Sequence, residues 1–187
     1  SLSLRSAKHL LMINAFIVII ITSLIIYRLL WMTPLFSEND YLTGLHSKGY
    51  QERFLEQQIK KSISNGKTFP LIMIDFDDFK LINDKYGHHF GDIVLKSVSQ
   101  IIKTCTRSVD CCARYGGDEF IIILPEADLE YAALVCQWLQ KETAALQLPA
   151  NYDSGPVSIS MGIALWEPGM TPEQLLDRAD KALYHSK

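Results

Sequence analysis

The sequence predicts an α+β domain, a sheet containing an antiparallel hairpin and flanked by helices, preceded by one membrane-spanning helix. Three observations carry this prediction. Residues 10–27 form an apolar run without a single charge, residues 69–76 and 119–124 are apolar runs of strand length, and the intervening stretches repeat apolar residues at helical spacing. The 187 residues leave room for one domain of ordinary size plus an appendage.

The apolar run "LLMINAFIVIIITSLIIY" reaches roughly 27 Å at the rise of an α-helix, close to one bilayer core. Arg28 and Trp31 extend it to Met32 by snorkelling and interfacial anchoring, so the span is drawn at 10–32, with 1–9 flanking the membrane and 33–39 as connector. The competing readings are a buried core helix, which is ordinarily shorter, and a signal peptide, for which no small-residue cleavage site follows. Arg5, Lys8 and His9 precede the run and Arg28 follows it, so the charges give no orientation bias. Because the sequence begins with Ser, a longer parent chain is expected.

Pro34 stops the helix, and the domain is expected over 40–187. Tyr50, Phe54, Leu55, Ile59 and Ile63 predict a helix over 47–65, stopped at Asn65 and Gly66. "FPLIMIDF" reads as a central strand over 69–76, and Val94, Val98, Ile101, Ile102 and Cys105 mark a helix over about 90–105. "CCAR", the turn "YGGD" and "EFIIIL" predict a hairpin, with Gly116 and Gly117 expected at the positive φ of a tight two-residue loop. A helix over about 128–147, a strand over 157–165 and a helix over 172–187, capped by Thr171 with Pro172 at its first position, complete the series.

Composition excludes several functions. With 18 basic against 21 acidic residues the net charge is −3, which argues against bulk nucleic-acid binding. Cys105, Cys111, Cys112 and Cys136 form no CxxC pair and have no histidines at zinc-ligand spacing, so they read as reduced apolar residues. The acids are more informative. Asp75 closes an apolar strand and Asp118 sits at the turn of a hairpin able to neighbour it. Two carboxylates meeting at a sheet edge share a proton or bind a cation, and an all-oxygen set without histidine favours Mg²⁺. On spacing alone, a solvated acidic hairpin tip is the alternative.

Five ordered blocks then resemble the GGDEF family, the bacterial diguanylate cyclases: "DYLTGL" (40–45), "IDFDDFKLINDKYGHHFGD" (74–92), "RYGGDEF" (114–120), "VSISMGIA" (157–164) and "LLDRADKALYHSK" (175–187). The resemblance implies a fold like the palm of adenylyl cyclases and some polymerases. It further implies condensation of two GTP into cyclic di-GMP with release of pyrophosphate, by a homodimer whose domain lies on the cytoplasmic side of a bacterial inner membrane. By the same resemblance the metal ligands are Asp75, the carbonyl of Phe76 and Asp118, holding two Mg²⁺ in the productive complex, with Mn²⁺ as a substitute. Asp118 would also accept the proton of the attacking 3′-hydroxyl, Glu119 would complete the acidic site, and Lys80 would stabilise the transition state. Asn83 and Asp92 would read guanine, with His88 near the nucleotide and Lys187 reaching its phosphates. Arg107 and Asp110 match an inhibitory RxxD site for cyclic di-GMP. Plainer readings stand beside these: a solvated helix-start lysine for Lys80, a water-facing strand residue for Glu119, a cap or turn for Asn83 and a surface ion pair for Arg107 and Asp110.

The chain departs from the family pattern in places. Ser47, Lys48 and Gly49 stand where Asn-Arg-Arg is usual, Trp138 stands where a second inhibitory-site arginine is common, and a Gly-Arg-Asn segment that often follows lies past Lys187. A second expectation is therefore a weak or inactive domain serving as a membrane-tethered nucleotide receptor or interaction module.

Overall fold

The computed structural model describes residues 2–32, 37–149, 152, 153 and 155–187. The chain divides into two compact units, Ser1–Ser37 and Glu38–Lys187. In the first, helix α1 (Leu2–Met32) takes in the expected span and the segment before it. Its stretch Leu11–Arg28 is long and apolar enough to cross a bilayer, and every side chain along it is exposed. Of the expected connector, residues 33–36 lie outside the described residues.

The second unit is a five-stranded mixed sheet with helices on both faces. Its elements are β1 (His46–Ser47), α2 (Lys48–Asn65), β2 (Phe69–Phe76), α3 (Phe79–Tyr86), α4 (His88–Cys105), β3 (Cys111–Arg114), β4 (Glu119–Ile123), α5 (Leu129–Ala144), β5 (Ile159–Trp166) and α6 (Pro172–Ser186). The strand order is β1-β3-β4-β2-β5; only β1 and β3 run parallel. Strand β2 is paired with β5 over Phe69–Phe76 and with β4 over Leu71–Asp75, and helices cover both faces, so it must be apolar on both faces. Ile72, Ile74 and Phe76 enter one core with Val94, Val98 and Ile102 of α4 and Val135 and Leu139 of α5. Phe69, Leu71 and Met73 enter the other with Leu55 and Ile59 of α2 and Leu175, Ala179 and Leu183 of α6.

Local chemistry sets the helix ends. Ser47 accepts from Tyr50 N at 3.3 Å to start α2, Gly66 ends it at φ 68, and Thr171 with Gln174 forms a reciprocal capping box on α6. Burial pushes the thiols of Cys111 and Cys136 up to about 12 and that of Cys112 up to about 11, in keeping with their expected role as small apolar residues.

Several expectations are corrected. Helix α3 and the short β1 had no counterpart in the sequence reading; α4 begins at His88, α5 ends at Ala144, and β5 is displaced to 159–166. Neither Gly116 nor Gly117 has positive φ. Four residues, 115–118, separate the strands, with Tyr115 N and Gly116 N both donating to Glu119 O, and a loop of this length does not require the left-handed pair of a two-residue turn. Gly116 instead lies against the Glu119 carboxylate: a Cβ there would lie 2.4 Å from Glu119 Oε2, and the end of that side chain would have to turn away. Asp78 takes the left-handed conformation, φ 55, which Asp tolerates, and this sharp turn starts α3 with only two residues between it and the end of β2.

Two contacts fix the frame around the end of the sheet. A Cβ at Gly162 would lie 2.2 Å from Leu183 N and 2.3 Å from Ala179 O, so the backbones of β5 and α6 touch there. Asp40 Oδ1 accepts from Thr43 N at 2.8 Å, from Thr43 Oγ1 at 2.7 Å and from Arg114 Nη1 at 3.3 Å. Burial works to raise the Asp40 carboxyl, but the Thr43 hydrogen bonds and the Arg114 charge together hold it below its ordinary 3.8.

Gly162→Ala is expected to cost about 1–3 kcal/mol or more, because backbone rather than a flexible side chain must move; denaturant titration measures this. Asp40→Ala is expected to cost about 1–3 kcal/mol at pH 7. A depressed folded value means that the carboxylate's stabilisation is present above the ordinary 3.8 and lost as pH falls through the folded value. The stability gap between wild type and Asp40→Ala therefore narrows below that pH, which thermal melts across pH 2–7 test.

Candidate active site

Helix α3 carries Lys80, Asn83 and Asp84 at i, i+3 and i+4, and α4 carries His88, Asp92 and Leu95 at i, i+4 and i+7. Each set shares one helical face, and the two faces meet the β3–β4 hairpin around a cavity of about 460 Å³. Arg114, Gly117 and Asp118 contribute from the hairpin and Phe79 from the start of α3. Five of the sequence-predicted residues, Lys80, Asn83, His88, Asp92 and Asp118, thus line one cavity. It combines three carboxylates (Asp84, Asp92 and Asp118), an amide, an imidazole, an ammonium, a guanidinium and the apolar walls of Phe79 and Leu95.

The remaining predicted acids sit at the adjoining end of the sheet. Asp75 is opposite Glu119 in the antiparallel ladder, and Asp118 is the loop residue just before it. Like charges directly opposite repel. Burial first, then the charges of Asp75, Asp118 and Asp180, raise the Glu119 carboxyl, with Lys187 opposing. The ammonium of Lys187, at the end of α6, donates to Asp75 Oδ1 at 2.6 Å. That hydrogen bond raises the Lys187 amine, and Asp75, Asp77 and Asp118 add to the effect by charge. Phe76 follows Asp75 as the last residue of β2, its ring buried against Phe79 and Phe120.

Among the described residues, no three carboxylate, imidazole or thiol side chains converge as a complete metal cage. The expected set asks for less: two carboxylates and a backbone carbonyl, with phosphate oxygens and water filling the other positions of Mg²⁺. The donors are all hard oxygens, and an ammonium already rests on one of them. This chemistry fits a small divalent cation.

Sequence reasoning missed Arg114, although it lies inside a motif that was read. Its Nη2 donates to Gly117 O at 2.7 Å and its Nε to the same oxygen at 3.2 Å, which holds the hairpin loop from within while Asp40 anchors the guanidinium. Phe79, Asp84 and Leu95 were also missed. For Phe79 and Asp84 the signal was the run after Asp78, whose residues 79–86 form one helix, and for Leu95 it was the i+3 spacing from Asp92 on α4.

Arg107 and Asp110 are brought together at the other end of β3. Arg107 Nη2 reaches Asp110 Oδ1 at 2.7 Å and Pro125 O at 2.9 Å, and the Asp110 side chain is fully buried. The Arg107 guanidinium lies 4.7 Å from the Tyr131 ring centre, and Trp138 meets Tyr131 edge-on at 6.5 Å. A cavity of about 600 Å³ with Phe54, Lys61 and Ser108 opens beside Arg107. Trp138 is 45% exposed, an apolar surface at the position where the family resemblance implies a second arginine.

Residues 37–187 match the family described as diguanylate cyclase, GGDEF domain. Diguanylate cyclase A of Treponema denticola is 39% identical over 152 residues, covering 79% of this chain and 41% of the relative. Diguanylate cyclase DgcS of Shewanella oneidensis is 37% identical over 148 residues, covering 79% and 49%. The chain therefore spans less than half the length of these two curated relatives. Among solved structures, the GGDEF domain of DgcB from Caulobacter crescentus, in complex with c-di-GMP, superposes with a TM-score of 0.76 at 32% identity, covering 80% of this chain and 86% of that one. Five ordered sequence blocks, the mixed sheet and a family match across 37–187 agree, and the chain belongs to the GGDEF family.

Proposed function

We propose that this domain is a diguanylate cyclase that condenses two GTP into cyclic di-GMP, acting as a homodimer anchored to the bacterial inner membrane by α1 with its catalytic domain in the cytoplasm. The observation that carries the reading is the single cavity of about 460 Å³ that unites Lys80, Asn83, His88, Asp92 and Asp118 beside the Asp75–Glu119 pair. Relatives bearing the name diguanylate cyclase support it.

Guanine offers acceptors at O6 and N7 and donors at N1 and N2. The Asp92 carboxylate suits the two donors, the Asn83 amide supplies complementary polar atoms, and Phe79 and Leu95 provide apolar surface for the purine. Lys80 puts a fixed positive charge where phosphoryl charge grows, and Lys187 is within reach of the same end of the sheet. Mg²⁺, two ions per productive site or Mn²⁺ in their place, would be held by Asp75, the Phe76 carbonyl and Asp118, and supplies Lewis-acid charge on the phosphate oxygens. In each half-reaction a 3′-oxygen bonds to the α-phosphorus of the other GTP, the bond from that phosphorus to pyrophosphate breaks, and the hydroxyl proton leaves toward Asp118, with Glu119 beside it. Two 3′-hydroxyls must each attack the other nucleotide, so two domains have to face one another and a monomer is silent. The helix α1 then has a role beyond anchoring, because it sets how often two domains meet. Arg107, held by buried Asp110, supplies a cation for feedback by cyclic di-GMP, and Trp138 replaces the second arginine with a flat apolar surface.

Incubating a dimeric detergent or nanodisc preparation with GTP and Mg²⁺, followed by mass analysis of the product, tests the proposal. Cyclic di-GMP is expected from wild type and a loss of roughly 10²-fold or more from Asp118→Ala. No product under dimerising conditions, or equal product from the variant, would sink it. Asp92→Ala is expected to raise the GTP KM roughly 10- to 100-fold, the loss of hydrogen bonds to a charged group, with a smaller effect on kcat.

A further inference from the structure

We infer that Gly91 is a specificity-determining positioning residue, whose missing side chain provides the seat in which the Asn83 amide is held for guanine. The inference rests on the reading of Asn83 as a guanine-binding residue.

Gly91 is the fourth residue of α4 and is buried. Inside a helix, glycine costs about 1 kcal/mol relative to alanine, so its presence there asks for a reason. The backbone supplies none, for Gly91 is absent from the glycines with positive φ. It is not a cap either, that place being taken by Gly87.

Space is the reason that remains. A Cβ at Gly91 would lie 2.0 Å from Asn83 Oδ1, 3.1 Å from Asn83 Cγ and 3.2 Å from Phe79 Cζ. The end of the Asn83 side chain therefore presses against bare α4 backbone. No hydrogen bond within the described residues orients the Asn83 amide, so packing against Gly91 and Phe79 holds it, and its polar atoms stay available to a ligand. The next residue of α4 is Asp92, which lines the same cavity as Asn83. One turn of α4 thus carries a carboxylate beside the notch that locates the amide. A methyl group in the notch would displace the amide by about 1 Å or more, a shift large enough to cost roughly 10²-fold at a preorganised site.

The test is a double-mutant cycle on the full chain in nanodiscs. Affinity for a GTP analogue with a methylene bridge between the α and β phosphorus, and for its adenine counterpart, is measured by titration calorimetry with Mg²⁺ present. Gly91→Ala is expected to weaken the guanine analogue roughly 10- to 100-fold and to shrink the guanine-to-adenine ratio, as Asn83→Ala does. In the Asn83→Ala background, Gly91→Ala is expected to change affinity by less than about twofold and to recover the melting temperature that Gly91→Ala alone loses, since the obstruction is gone. A wild type that binds no guanine analogue, or an Asn83→Ala variant that binds like wild type, overturns the functional reading itself. Wild-type affinity in Gly91→Ala with a weakened Asn83→Ala overturns only the inference about Gly91. Should Gly91→Ala alone fail to fold, a folded double variant still ties the notch to Asn83. A double variant that also fails to fold shows that Gly91 accommodates something else.

Discussion

The antiparallel pairing of β2 with β4 sets Asp75 opposite Glu119, and the rest of the domain depends on that register. Along the paired segment, alternate residues of both strands fill two cores, one beneath α4 and α5 and one beneath α2 and α6. At its end the alternation runs out of apolar residues and places acids instead. A slip of one residue would send Asp75 and Glu119 into the opposite core and bring Ile74 and Phe120 out. The apolar alternation that stabilises the sheet therefore also aims the carboxylates, so the register that the cores enforce is the register that the chemistry needs.

A concentration of acids is unfavourable without a cation, and the surroundings show how it is contained. Lys187 sits on Asp75, Arg114 ties the hairpin loop to Asp40, and Gly116 leaves room for the Glu119 carboxylate. The raised Glu119 carboxyl and the raised Lys187 amine are two sides of one field. Under the proposed function, the ammonium on Asp75 would give way to a harder cation and its phosphate ligand. Close approach of β5 to α6 at Gly162 supports the end of α6 from which Lys187 extends.

The hairpin has a second working end. Arg107 and Asp110 precede β3 and Asp118 follows it, so the four residues of β3 separate them by roughly 13 Å of extended chain. Burial of the Asp110 carboxylate against the guanidinium makes this pair a fixture of the fold, not a loose surface contact. A strand bound on both sides is a stiff link between the two ends, which suits a domain in which product feedback is proposed.

Much was legible in the chain alone. An uncharged run of bilayer length, the central strand 69–76, the cap at Thr171 and the pairing of Asp75 with Asp118 all follow from local rules of periodicity and hydrogen bonding. The family blocks named five of the residues that line the cavity, Lys80, Asn83, His88, Asp92 and Asp118. The sequence alone did not show helix α3, because its eight residues are too few for a decisive apolar period and only Ile82 among them is buried, while four line the cavity. Nor did it show that neither hairpin glycine takes the left-handed conformation, that Gly116 lies against the Glu119 carboxylate, that Arg114 braces the loop, or that Gly91 is pressed by Asn83. These depend on atoms brought together from separate elements. Local composition determined which helices and strands form and which chemical groups they carry; only the tertiary structure decided which of those groups touch, because contact across elements is set by register and close packing, and neither is written in any one segment.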